Sequence, residues 1–423
     1  MKIIEYRCDN GLPVFLVPMK NTNMMTGVFA VRGGWGYESE GIEGVSHLLE
    51  HFMFRGTARR PSTRALAREI EDVGGRLYAK TIEEYIAYFI DIPPEHSIVL
   101  CDALADFILH PRLDAAQNQL ELEVAGEELR QYESDPMEKF EAAFAELLFP
   151  DHPAGWRIGK EASLRRITSD ALADYYRSCF TSSNSVVCIA GKMENPDVLF
   201  AEVNRLFASL PSAPPLRQSI PFFDRQTQPQ YTIVEYNIPD TKIKLGVKCK
   251  DVELKDKHSM KVLKSILGDG WTSRLAHRLG EERGFIYRLD IDFVFTGGTS
   301  YFAYWGGVKQ EQWLEAIRVI LEEFAKFCVE KVSAEELERA KRQVLVREKN
   351  DWEDSKRLVS YVLDQWADYD DVSFKDETDG IREVSAKDIM RVAQKFFRNE
   401  ALNLAVIGPH GSEKEEVAKI LSF

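Results

Sequence analysis

The sequence predicts an α+β fold of two tandem homologous domains, each a mostly antiparallel sheet covered by helices. Two observations carry this expectation. The first is an internal repeat: Ile167-Thr168 through Gly191 and Val384-Ser385 through Gly408 align without a gap at an offset of 217 residues. Thr168 and Ser385 stand at matching helix N-caps, Leu172 matches Ile389, and Phe180 matches Phe397. Val187-x-Ile189-x-Gly191 then matches Leu404-x-Val406-x-Gly408, so each half closes with a helix followed by a strand. The second observation is Pro211-Ser212-Ala213-Pro214-Pro215, a run too rich in proline for helix or central strand, which marks a linker. Residues 1–210 and 222–423 are then duplicate domains joined by 211–221.

Along the first half, strand patterns at 12–18, 26–33, 84–91 and 185–190 are interleaved with helical patterns at 44–54, 63–73, 95–109, 114–132, 136–148 and 169–179. In the second half, alternation marks strands at 230–238 and 242–249, and long helical patterns cover 310–329 and 333–365. Meandering strands mixed with long helices, without a strict strand–helix alternation, point to α+β rather than to a doubly wound sheet.

Composition limits the function. A chain of 423 residues that is 44% hydrophobic buries a large core and divides into at least two domains. A net charge of −14 argues against a nucleic-acid partner or an anionic membrane surface, both of which call for clustered Lys and Arg. The six cysteines are scattered, with no Cys-x-x-Cys pair, and read as small buried hydrophobes in a reducing compartment. Met1 to Arg7 lacks the apolar core of a signal peptide and no stretch of eighteen apolar residues exists, so a cytoplasmic protein is expected.

His47-Leu48-Leu49-Glu50-His51 carries the chemistry. Two imidazoles four residues apart share a helix face and can each reach about 2.0–2.1 Å from one zinc ion. Glu50 lies beside such a metal, where it can take a proton from a zinc-bound water whose pKa has fallen to about 7. This is a zinc-peptidase arrangement with Glu and His inverted relative to His-Glu-x-x-His. Leu48, Leu49, Phe52 and Met53 also mark a buried helix, and a lone core histidine is usually just hydrogen-bonded. Two histidines and a glutamate in this order, in a chain with eight histidines, are less easily explained that way. A tetrahedral zinc needs a further protein ligand, and Glu128 is the best candidate. It shares a helix face with Glu121, seven residues earlier, although an acidic helix by itself is usually a solvated face.

The run Gly41-x-x-Gly44-Val45-Ser46-His47-Leu48-Leu49-Glu50-His51-Phe52-Met53-Phe54-Arg55-Gly56-Thr57 resembles the signature of the pitrilysin-type inverzincins, the family of insulin-degrading enzyme and the mitochondrial processing peptidase. In that family the third ligand follows the second histidine after about 76 residues, and 76 residues separate His51 from Glu128 here. The resemblance implies that His47, His51 and Glu128 hold one Zn2+ per chain, that Glu50 is the catalytic base, and that Glu121 supports the ligand geometry. Arg32-Gly33-Gly34-Trp35, Leu267 to Leu275 and Glu282 to Tyr287 extend the likeness over the rest of the chain. Short members of the family form half-clamshells that pair two such chains around a chamber. At the 217-residue offset His47 to His51 fall on Lys264 to Gly268 and Glu128 on Leu345, so the second half is expected to carry no metal.

Two departures from the family pattern stand out. The strand that would pair with a bound peptide reads Gly74-Gly75-Arg76-Leu77-Tyr78-Ala79-Lys80-Thr81, with Tyr78 in place of an asparagine; Tyr78, Ala79 and Lys80 are the substrate-binding candidates. Relatives also place an arginine seven residues before the tyrosine that corresponds to Tyr287, and together the two stabilise the oxyanion. Here that position is Gly280, and neither Arg278 nor Arg283 has the register. The expected function is therefore a zinc endopeptidase acting on unfolded peptides. Its missing arginine would come from a homologous sibling subunit, and a homodimer is the other arrangement. The rival from another class is a non-catalytic structural or substrate-presenting subunit.

Overall fold

The computed structural model describes residues 2–113, 115–156, 159, 161–216, 220–296, 298–369 and 373–423, with side chains except at 115–119, 287, 369, 374 and 375. Strands β1 (Ile4–Arg7), β2 (Pro13–Pro18), β3 (Met25–Arg32), β4 (Arg76–Thr81), β5 (Tyr85–Ile92) and β6 (Ser185–Gly191) form one sheet in the order β1-β2-β6-β3-β5-β4. Strands β7 (Gln230–Glu235), β8 (Asp240–Lys248), β9 (Ile286–Val294), β10 (Tyr301–Lys309) and β11 (Leu402–Gly408) form the other, β7-β11-β8-β10-β9. Every pairing is antiparallel except β2 with β6 and β7 with β11. The α+β class and the mostly antiparallel sheets expected from the sequence are both present.

The helices that matter below are α1 (Val45–Met53), α2 (Ala115–Ser134), α3 (Pro136–Leu148), α4 (Ser169–Cys179), α5 (Leu254–Gly268), α6 (Ala334–Asp351), α7 (Ser355–Tyr369), α8 (Phe374–Glu383) and α9 (Ala386–Phe396). The 217-residue repeat extends to atomic detail. Thr168 Oγ1 caps α4 by accepting from Ala171 N, and Ser385 Oγ caps α9 by accepting from Asp388 N. The parallel pair Val14↔Val187 recurs as Tyr231↔Leu404, with both members displaced by the same 217 residues. The helical pattern expected over 333–365 is two helices, because Trp352 to Asp354 separate α6 from α7.

Packing divides the chain into two compact units that exchange segments. One comprises 1–131, 156–220 and 349–373; the other comprises 132–155, 221–348 and 374–423. In the first unit, Phe29, Val31, Val187 and Ile189 pack on one side of the sheet with α1 and with the Ser97–Leu109 helix. The opposite side is covered by α7, whose Ser355 hydroxyl lies 2.9 Å from Thr26 Oγ1 and whose Trp366 carbonyl accepts from Arg32 Nη2 at 2.9 Å. The second unit repeats the plan: α3 packs Phe140, Phe144 and Leu148 against Ala405 and Ile407 of β11. Burial on both faces explains why β6 (SVVCIAG) and β11 (LNLAVIG) are almost continuously apolar rather than alternating.

Candidate active site

Helix α1 begins at Gly44, whose φ of 93° is left-handed backbone suited to glycine. Its first amides are not left orphaned. The Glu38 carboxylate accepts from Gly44 N at 2.7 Å, Ser46 N at 2.9 Å and Ser46 Oγ at 2.5 Å. Val45, Leu48, Leu49, Phe52 and Met53 are buried. Spacings of three and four residues leave His47, Glu50, His51 and Phe54 on a half-buried stripe. Helix α2 buries Glu121, Ala125 and Leu129 and brings Glu128 to that stripe.

His47 Nε2 and His51 Nε2 lie 3.3 Å apart, and Glu128 Oε2 lies 3.6 Å from the first and 3.3 Å from the second. Among the described residues, these form the one group of three His, Cys, Asp or Glu side chains whose ligand atoms converge, all within 4.8 Å. A tetrahedral zinc with bonds of about 2.0–2.1 Å spaces its ligand atoms about 3.3–3.4 Å apart, so the donor set fits zinc in both chemistry and spacing. Behind His51, the fully buried Glu121 places Oε2 3.9 Å from Nδ1 and is ion-paired through Oε1 to Arg55. Glu50 projects beside the three, its Oε2 accepting from Thr81 Oγ1.

Burial pulls the His47 imidazole down to about 4, the neighbouring His51 adds to the shift and Glu128 opposes it, so at neutral pH His47 is in the neutral form that binds metals. Burial also acts to lower His51, but the hydrogen bond and charge of Glu128, with Glu50 and Glu121, outweigh it and raise the ring. Glu128 moves down, mainly through its hydrogen bond with His51. Burial raises Glu50, against the Thr81 hydrogen bond and the His51 charge.

Comparison with known proteins assigns the chain. Residues 17–158 match the family model "Insulinase (Peptidase family M16)", and 166–344 match the model of the M16 inactive domain. The chain belongs to peptidase family M16. A protein named as an uncharacterized zinc protease of Bacillus subtilis is 26% identical over 348 residues, covering 81% of this chain and 82% of its own. A protease from Helicobacter pylori of known structure superposes with a TM-score of 0.86 at 20% identity, over 96% of this chain and 99% of that one. A chain of Complex III2 from Candida albicans shares the fold at a TM-score of 0.83 and 13% identity, with full coverage of both.

In this M16 chain, β4 is an edge strand bonded to β5 on one side. Tyr78, Ala79 and Lys80 all lie in it. The Tyr78 ring stacks on Phe89 with centroids 5.0 Å apart, Lys356 Nζ sits 4.2 Å over it, and its hydroxyl donates to Asp91 Oδ1 at 3.4 Å. Ala79 and Leu77 pack on the core beneath, while Lys80 Nζ lies 5.9 Å over the Tyr85 ring. Tyr287 falls in β9, but its side chain lies outside the described residues. Gly280 sits in the helical turn Ala276–Glu281. Arg278 is bound to Glu323 at 2.6 Å and Glu322 at 2.8 Å, and Arg283 to Glu282 at 2.9 Å, so both guanidinium groups are engaged inside the second unit.

Sequence reasoning missed Glu38, Arg55 as the partner of Glu121, and Thr81 as the partner of Glu50. Thr81 is 31 residues from Glu50, and no helical or strand period links the two. A polar residue on the core-facing side of β4, in register with Leu77 and Ala79, was the one available signal.

Proposed function

We propose that this chain is a zinc-dependent endopeptidase that takes an extended peptide onto the edge of β4 and hydrolyses it at the His47–His51–Glu128 centre, one zinc per chain. The observation that carries the reading is the convergence of three donor atoms 3.3 to 3.6 Å apart, with Glu50 projecting from the same turn of α1. When bound, zinc supplies Lewis-acid polarisation and an acidified water. Glu50 takes the proton of the attacking water at its carboxylate and passes it to the leaving amine. Glu121 lies 3.9 Å from His51 Nδ1, where its charge acts on the ring, with Arg55 balancing that charge. Open backbone groups on β4 align the peptide by strand addition.

The oxyanion donor is the incomplete part. With Gly280 in the arginine's place and Arg278 and Arg283 engaged elsewhere, the reading includes a homologous sibling subunit that supplies an arginine, the chain being the zinc-bearing half of the pair. The six unpaired cysteines, five of them buried, support a reducing cytoplasmic setting. Among the described residues no helix is long and apolar enough to cross a membrane.

Metal analysis and cleavage of a quenched peptide library, with and without chelator and a sibling subunit, test this. Glu50→Gln is expected to keep zinc while losing about 10²–10⁴ in rate. His47→Ala, His51→Ala and Glu128→Ala should each lose the metal; stoichiometric zinc in Glu128→Ala refutes the third ligand. Wild-type turnover by Glu50→Gln removes the base.

A further inference from the structure

Glu50 is fastened to the edge strand. Thr81, the last residue of β4, donates a hydrogen bond from Oγ1 to the Glu50 carboxylate. The hydroxyl can reach it because Thr81 continues the alternation of Leu77 and Ala79, which pack on the core beneath the sheet. Ile82 N turns inward to bond Tyr85 O at 2.9 Å, and since successive amides of an antiparallel strand point to opposite edges, the amide of Thr81 faces the open edge.

We propose that Thr81 is a positioning residue for Glu50. This rests on the reading of Glu50 as the base. A carboxylate on a flexible side chain samples several rotamers, and a hydroxyl donor fixed on a strand residue selects among them. Peptide docking and base placement then share one strand. Proper placement matters because a misplacement of about 1 Å can cost about 10²-fold in rate.

The test compares the full-length zinc-loaded wild type with Thr81→Val, which keeps the shape without the hydroxyl, Thr81→Ser, which keeps the hydroxyl, and Glu50→Gln. Thr81→Val is expected to retain stoichiometric zinc and the wild-type Tm. In its crystal structure the Glu50 carboxylate should leave its wild-type rotamer, and kcat should fall about 10- to 100-fold with KM little changed. Thr81→Ser should restore both the rotamer and most of kcat. An unmoved Glu50 in Thr81→Val overturns the proposal, and this readout decides it even for a chain that turns over only with a partner. So does wild-type kcat in Thr81→Val when Glu50→Gln is inactive, a result that leaves the peptidase reading standing. Wild-type turnover by Glu50→Gln instead removes the base reading and this proposal with it.

Discussion

At the scale of single residues, Gly280 has no steric reason to be glycine. Its φ is not in the left-handed region, and a Cβ built there would meet nothing closer than Ile286 Cγ1 at 3.9 Å. In a helical turn glycine costs about 1 kcal/mol relative to a good helix former. Gly280→Arg is therefore expected to fold with an unchanged or higher Tm. If the absent arginine limits the isolated chain, the variant should also raise chelator-sensitive cleavage by up to about 10²–10³-fold at constant zinc content. A lower Tm would contradict the packing, and an unchanged rate in a stable variant would show that position 280 is not where the donor is missing. The zinc candidates were legible in the sequence because four-residue helical spacing is itself geometry, and Glu128 because the family resemblance supplied the interval. Glu38, Arg55 and Thr81 were not, since each reaches its partner through tertiary packing that no local period encodes.

At the scale of elements, α1 depends on Glu38 to close its N-terminus. The carboxylate is buried, and burial raises it to about 7 against the hydrogen bonds from Ser46 and Gly44 that hold it down, while the nearby Glu43 charge adds to the rise; the Tyr175 phenol is the other titratable neighbour. Glu38 therefore binds its proton more tightly in the folded chain than in the unfolded one, where a glutamate titrates near about 4.3. Its contribution is full below that value and is lost as pH rises through about 7, a swing of up to about 3 kcal/mol. Wild type should thus lose more Tm between pH 5 and pH 8 than Glu38→Gln does. Parallel curves for the two proteins would show that the carboxylate is not held in this way. Glu38→Ala should lower Tm at both pH values, because it leaves buried amides unpaired at about 1–3 kcal/mol. In the duplicated helix pair of the second unit, Lys261 of α5 reaches Glu348 of α6 at 2.8 Å and Glu377 of α8 at 2.7 Å, and Ser265 bonds Gln343. The repeat in the sequence disclosed the shared α4/β6 and α9/β11 pairs, but not that an ammonium bridges the second pair of helices.

At the scale of the whole molecule, the sequence repeat and the packing units are different divisions of the chain. The strand and helix patterns fix which segments form elements, yet nothing in their periodicity tells which sheet a helix will cover, and α7 lies far in sequence from the sheet it completes. Leu358, Val359, Val362, Leu363 and Trp366 of α7 are buried in the first unit, against the side of the sheet that carries Thr26, Val28 and Ala30. Burying five such side chains contributes about 8–15 kcal/mol at about 1.5–3 kcal/mol each, comparable with the whole stability of a domain, about 5–15 kcal/mol. Residues 1–210 expressed alone should therefore not reach a unique native state, even though they hold all three zinc candidates and Glu50. The fragment is expected to bind ANS, to lack near-UV circular dichroism and to bind zinc less tightly than the full chain. Appending residues 349–373 through a flexible Gly/Ser linker should restore a cooperative thermal transition, because it returns the missing face of the sheet. A sharp transition in 1–210 without that addition would show that the sheet stands with one side open, and that α7 is not required for the first unit to fold.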